Sequence, residues 1–153
     1  MGRISVSRFI AAPPKRVYAI ASDLEGLAAR ITSIKHMEVL TGGPIKKGSQ
    51  FRVGRAMQGI EASAEMTVSA CDEPKSFQIG CTSAGCRYEI RFRFEPDGTG
   101  TNFVLEFGWM PLSFGAKLTS PLHDGKIKKA LKMCDQDLDE LKYAAEQPME
   151  KAA

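Results

Sequence analysis

The sequence predicts an α+β domain in which a seven-stranded antiparallel sheet with one apolar face is covered by a long C-terminal helix. Two observations carry this reading. Between Met37 and Trp109, short runs of alternating apolar and polar residues are separated by turn signals too close together for parallel crossovers. After Ile127, apolar residues recur at helical spacing as far as Ala145. A chain of 153 residues suffices for one domain and not for two, so residues 1–147 are expected to fold as a unit and 148–153 to form a frayed tail.

The first strand is read from Ile4, Val6 and Ile10, which alternate with polar positions until Pro13-Pro14 ends the run. A helix follows, because proline is tolerated in a first turn, where its missing N–H has no intrahelical partner, and Val17, Ile20, Ala21 and Leu24 then recur on one face. A second short helix is expected over 23–32, with Gly26 arguing for a turn between the two. Six further strands are expected over 35–40, 49–57, 60–72, 76–82, 86–95 and 101–109, divided by Gly42-Gly43-Pro44, Gln58-Gly59, Glu73-Pro74, Ser83-Ala84-Gly85 and Pro96-Asp97-Gly98. The closing helix carries Ile127, Ala130, Leu131, Cys134, Leu138, Leu141 and Ala145 on one stripe, and Ser120-Pro121 is either its start or a kink in a longer helix from about Leu112.

Side-chain parity gives the sheet its faces. A two-residue turn at Gln58-Gly59 pairs Met57 with Ile60, Arg55 with Ala62, Val53 with Ala64 and Phe51 with Met66, all on one side. The same side takes Cys86, Tyr88, Ile90, Phe92 and Phe94, then Phe103, Leu105, Phe107 and Trp109, and also Phe77, Ile79 and Cys81. A curved sheet under a single helix leaves volume to fill, and Ala62, Ala64 and Ala70 fill it poorly, so a pocket is expected; tight helix-on-sheet packing also uses small residues.

Composition narrows the function classes. Apolar residues make up 43% and charged residues 25%, as in ordinary folded proteins. The net charge of +3 comes from scattered basic residues, which is weak support for a nucleic-acid partner, and none is expected. No apolar run approaches the roughly 20 residues of a membrane span, and no signal-peptide core follows Met1, so no integral membrane contact and a cytoplasmic location are expected. The cysteines Cys71, Cys81, Cys86 and Cys134 form no Cys-x-x-Cys pair, and His36 and His123 stand at no zinc-like spacing from them. Neither a metal nor any other cofactor is expected.

The opening stretch from Ile4-Ser5-Val6 through Ala12-Pro13-Pro14-Lys15-Arg16-Val17-Tyr18, followed by Ser22-Asp23-Leu24-Glu25, resembles START-like proteins of the polyketide cyclase/dehydrase and lipid-transport group. The stretch from Glu73 to Phe77, the turn from Phe94 to Gly98 and the closing Asp137-Leu138-Asp139-Glu140-Leu141-Lys142 are similar to that superfamily as well. The resemblance implies a helix-grip fold for residues 1–147, with a ligand cavity between the curved sheet and the long helix. It implies no particular chemistry, because members share no universal catalytic motif.

Within that frame the expected ligand-binding residues are Arg55, Met66, Tyr88, Phe92, Phe107 and Trp109 from the sheet, and Leu131 and Cys134 from the helix. Arg55 has two readings. A cation on an apolar face can anchor a carboxylate, phosphate or carbonyl, or it can pair with a protein carboxylate or reach water. His36 and His123 lack a partner that would identify a catalytic unit and are expected at the surface or the mouth. Glu65 and Glu89 fall on the outer face. Cys81 and Cys86 are expected opposite each other across a hairpin, and reduced.

Three functions follow from this reading. The first is a protein that binds or carries a small hydrophobic or amphipathic molecule, such as a lipid, isoprenoid or aromatic polyketide-like compound. The second is an aromatase/cyclase-like enzyme in the same cavity, for which no acid/base pair is identifiable and no catalytic residue is named. The third is a protein-interaction module with a vestigial cavity. A homodimer through an edge strand is open, with no particular residue to support it.

Overall fold

The computed structural model describes residues 2–57, 60–83, 85–112 and 124–148. Strand β1 (Gly2–Ile10) leads into helices α1 (Pro14–Ser22) and α2 (Leu24–Arg30). Strands β2 (Ile34–Val39), β3 (Gln50–Met57), β4 (Ile60–Asp72), β5 (Ser76–Ser83), β6 (Cys86–Asp97) and β7 (Gly100–Pro111) follow, and helix α3 (Asp124–Glu146) closes the fold. All pairings are antiparallel, in the order β1-β7-β6-β5-β4-β3-β2, so the two helices between β1 and β2 join opposite edges of the curved sheet. This is a helix-grip arrangement.

Local chemistry accounts for the boundaries. Pro14 occupies the first turn of α1. The break between α1 and α2 lies at Asp23, whose carboxylate accepts the Gly26 N–H at 3.3 Å and receives Arg30 Nη1 at 2.9 Å. Gly26 therefore sits inside α2 rather than between the helices, and a Cβ there would collide with the Asp23 carboxylate. The expected helix start between Leu112 and Pro121 lies outside the described residues, as does the tail beyond 148.

The β3–β4 register pairs Met57 with Ile60, Arg55 with Ala62, Val53 with Ala64 and Phe51 with Met66. On the same face, Phe77 opposes Phe92, Ile79 opposes Ile90, Phe92 opposes Leu105 and Ile90 opposes Phe107. One expectation fails on β4. A bulge between Val68 and Ala70 sets Ala70 opposite Gln78 and turns it outward, while Cys71 comes in opposite Phe77. Simple alternation carried past an extra residue inverts every face beyond it.

The core lies between this face, α1 and one side of α3. Phe77, Phe94 and Phe103 are buried together with Tyr18, whose ring meets Phe77 and Phe94 edge-on at 5.7 and 5.3 Å. From α3, Cys134, Leu138, Leu141 and Ala145 enter this core. Polar contacts fasten α3 along the β1 side. Arg8 donates to Asp139 at 3.0 Å and also pairs with Asp135; Lys142 donates to the Phe9 carbonyl at 2.7 Å, and Glu146 accepts the Ala11 N–H at 2.7 Å.

Candidate functional site

Because α3 is tied to the β1 side, it leaves open space over the middle strands. A cavity of about 390 Å³ lies there. Its sheet wall is Phe51, Val53 and Arg55 from β3, Ser63, Ala64 and Met66 from β4, Phe77, Ile79 and Cys81 from β5, and Tyr88, Ile90, Phe92 and Phe107 from β6 and β7. Ala21, Leu24, Leu27, Ile31, Ile34 and Met37 close a second side. The α3 wall is Lys129, Met133, Asp137 and Leu141, successive residues four apart on one helix face.

Of the side chains expected to bind ligand, Arg55, Met66, Tyr88, Phe92 and Phe107 line this cavity. The other three stand elsewhere among the described residues. Trp109 is buried beside Gly2, its ring 6.0 Å from Phe107, and its indole Nε1 has no hydrogen-bond partner among the described residues. Leu131 is 38% exposed, and Cys134 packs into the core instead. The helix is rotated relative to the expected stripe, so the polar Lys129 and Asp137 face the cavity with Met133. The side chains of Ile127 and Ala130 lie outside the described set, as do those of Met57 and Ala62.

Arg55 is inward and paired. Its Nη1 donates to Asp137 Oδ2 at 3.0 Å, to Asp137 Oδ1 at 3.3 Å and to Ser33 Oγ at 3.1 Å. Side-chain exposure is 24% for Arg55 and 8% for Asp137, so the second reading of Arg55, pairing with a protein carboxylate, describes the geometry. Burial pushes the Asp137 carboxyl above its ordinary range, and the Arg55 guanidinium pulls it the other way. Burial, reinforced by the Asp137 charge, holds the Cys134 thiol up at about 12. Tyr88, opposite Cys81 and Trp109, has its phenol raised mainly by burial.

Asp137, Ser33, Lys129 and Met133 are absent from the set that the sequence predicts. The available signal for Asp137 was an acid between Cys134 and Leu138 on an apolar stripe, together with an inward arginine that needed a counter-charge.

The remaining candidates are away from the cavity or outside the described residues. His36 lies on the outer face, its side chain 63% exposed and Nε2 4.0 Å from Glu38, and His123 lies outside the described residues. Glu65 approaches Arg52 at 3.5 Å, and Glu89 accepts from Gln78 at 3.0 Å, both on the outer face. Cys81 opposes Tyr88 and Cys86 opposes Ser83, which corrects the expected Cys81–Cys86 pairing: the thiols are offset along the hairpin, and all four cysteines are free. Among the described residues, no group of three or more His, Cys, Asp or Glu is placed to hold a metal ion, and no helix is long and apolar enough to cross a membrane.

Comparison with known proteins adds a family and a set of relatives in fold. No curated protein sequence matches the chain. Among solved structures, the Zhui aromatase/cyclase from Streptomyces sp. R1128 superposes with a TM-score of 0.78 at 17% identity, covering 99% of this chain and 98% of that one. TTHA0849 from Thermus thermophilus gives 0.72 at 24% identity over 95% and 100% of the two chains. Major latex-like protein 151 from Panax ginseng gives 0.74 at 11% identity over 94% and 97%. At these identities the likeness is one of fold. The family described as polyketide cyclase / dehydrase and lipid transport matches residues 1–146, and the chain belongs to that family, within the START-like superfamily.

Proposed function

We propose that the protein binds or carries a small hydrophobic or amphipathic molecule of lipid, isoprenoid or aromatic polyketide type in the cavity between sheet and α3. One observation carries the proposal: about 390 Å³ of space is walled by apolar side chains from β2 to β7, α1 and α2, with few polar groups. Close-packed interiors hold few voids larger than a water molecule, whereas small-molecule sites run from about 300 to 1,000 Å³. The neutralised Arg55–Asp137 pair adds no net charge to that wall.

A cyclase-type reaction in the same space is the second reading. It is favoured by the opposite-charge pair and the Tyr88 phenol in the cavity wall, and by the fold shared with the Streptomyces aromatase/cyclase.

Native mass spectrometry of gently purified protein, followed by Nile red titration, tests the proposal. A retained small molecule, or saturable dye binding that Ala64→Phe abolishes without unfolding, is the expected result. Absence of both a retained molecule and saturable dye binding overturns the proposal. A released molecule unchanged in mass after incubation marks a carrier; conversion to a cyclised, dehydrated product marks an enzyme.

A further inference from the structure

Among the described residues, three charged side chains line the cavity, and they are not equivalent. Arg55 and Asp137 neutralise each other at 3.0 Å. Lys129 stands on the same face of α3 two turns before Asp137, about 12 Å along the axis. It is exposed, and none of the carboxylates whose side chains are described lies within ion-pair distance of it; the side chains of Glu61 and Asp124 are outside that set. Its helical neighbours three and four residues away are Lys126, Gly125, Lys132 and Met133, so none of the positions stacked against it along the helix is acidic. At physiological ionic strength the screening length is about 8 Å, which leaves the inner pair little influence at Lys129.

From this asymmetry we infer that the ligand is an amphipath with one acidic end, a carboxylate or phosphate monoester, held head-out at Lys129 with its apolar body running past Met133 towards Leu141. The inference rests on the cavity-binding reading above. A head-in orientation would bring an anion to Arg55, where it competes with Asp137 and leaves one of two carboxylates buried without a counter-charge. A head at Lys129 stays solvated, and only apolar surface is buried. From Lys129 to Leu141 the helix wall is about 18 Å long, enough to accommodate an extended chain.

The test is calorimetric titration of laurate, dodecyl phosphate and dodecanol into the wild type, Lys129→Met and Lys129→Glu, the two acids below their micelle concentrations and the alcohol below its solubility limit. Comparing the same ligand across variants removes the differences in solubility between ligands. Methionine has nearly the helix propensity of lysine, and the site is exposed, so neither variant threatens the fold. Lys129→Met is expected to weaken both acids about three-fold and Lys129→Glu about ten-fold, with dodecanol unchanged and the effect shrinking in high salt. Unchanged acid binding in both variants overturns the inference, and so does equal weakening of acid and alcohol. If none of the three probes binds the wild type saturably while Nile red does, this inference is overturned and the cavity-binding reading stands; if Nile red binding and a retained molecule are absent as well, both fall.

Discussion

Arg55 and Asp137 lie 82 positions apart in the chain and 3.0 Å apart in space, joining β3 to α3 across the wall of the cavity. Ser33, at the entry to β2, accepts from the same guanidinium nitrogen. Glu140, one turn further along α3, accepts from both the N–H and the hydroxyl of Thr32 at 2.7 Å. The link between α2 and β2 is thus held to the helix by two polar contacts. These contacts position the helix side of the cavity.

Removing one partner of that pair should be worse than removing both. Arg55→Met leaves a buried carboxylate and is expected to destabilise by about 3 kcal/mol at most, given the partly open guanidinium. Arg55→Met combined with Asp137→Leu should recover much of the loss. Urea unfolding of the three variants measures the coupling; strict additivity would show that the pair contributes nothing as a pair.

Leu138 is 0% exposed in the core beneath α3. Leu138→Ala should lower stability by about 2 to 5 kcal/mol, whereas Leu131→Ala, at a site 38% exposed, should cost about 1 kcal/mol or less. The two urea midpoints test which face of the helix is buried.

Two carboxyl groups should give opposite pH dependences. Asp137 has its folded value raised above the ordinary 3.8 by burial, so its contribution is fully present at acid pH and is lost as pH rises through the raised value. Glu146 is held below the ordinary 4.5, first by the Ala11 N–H and then by Lys142, so its contribution is present above that value and is lost as pH falls through the folded one. Relative to wild type, Asp137→Asn should therefore gain stability with rising pH and Glu146→Gln should lose it, in unfolding measured from about pH 3 to about pH 7.

Thiol chemistry distinguishes the cavity wall from the core. Cys134 is buried with its thiol held up at about 12 and should resist disulfide reagents near neutral pH until the protein unfolds. Cys81 is half-buried on the cavity wall and should react earlier, more slowly when the cavity is occupied. Peptide mapping after timed labelling reads both. Equal rates for the two would contradict the assigned environments.

The strands were legible because alternation and turn spacing both report on the backbone. Pairing Met57 with Ile60 determines the face of Arg55, Ala64 and Met66 before any contact is known. The helix was harder to read. An apolar stripe identifies which face is buried only to within a residue or so, and that margin separates Leu131, which faces water, from Lys129 and Met133, which line the cavity. Asp137 was missed for a different reason: its place on the apolar stripe was visible, but an acid is buried only where a distant cation can meet it, and that meeting depends on tertiary structure. Parity puts Ala70 on the wrong face because nothing in the residues around Ser69 marks an extra position.

That extra position shapes the concave face as a difference in length. Val68 opposes Ile79 and Ala70 opposes Gln78, so β4 advances two residues while β5 advances one. Deleting Ser69 would leave every named pair between the two strands available and remove only the surplus. Like a seam with more cloth on one side, the sheet must bow where its two margins differ in length. Such a bow needs no bulky side chain to prop it open, and so the hollow can be walled by residues as small as Ala64 and still keep its shape.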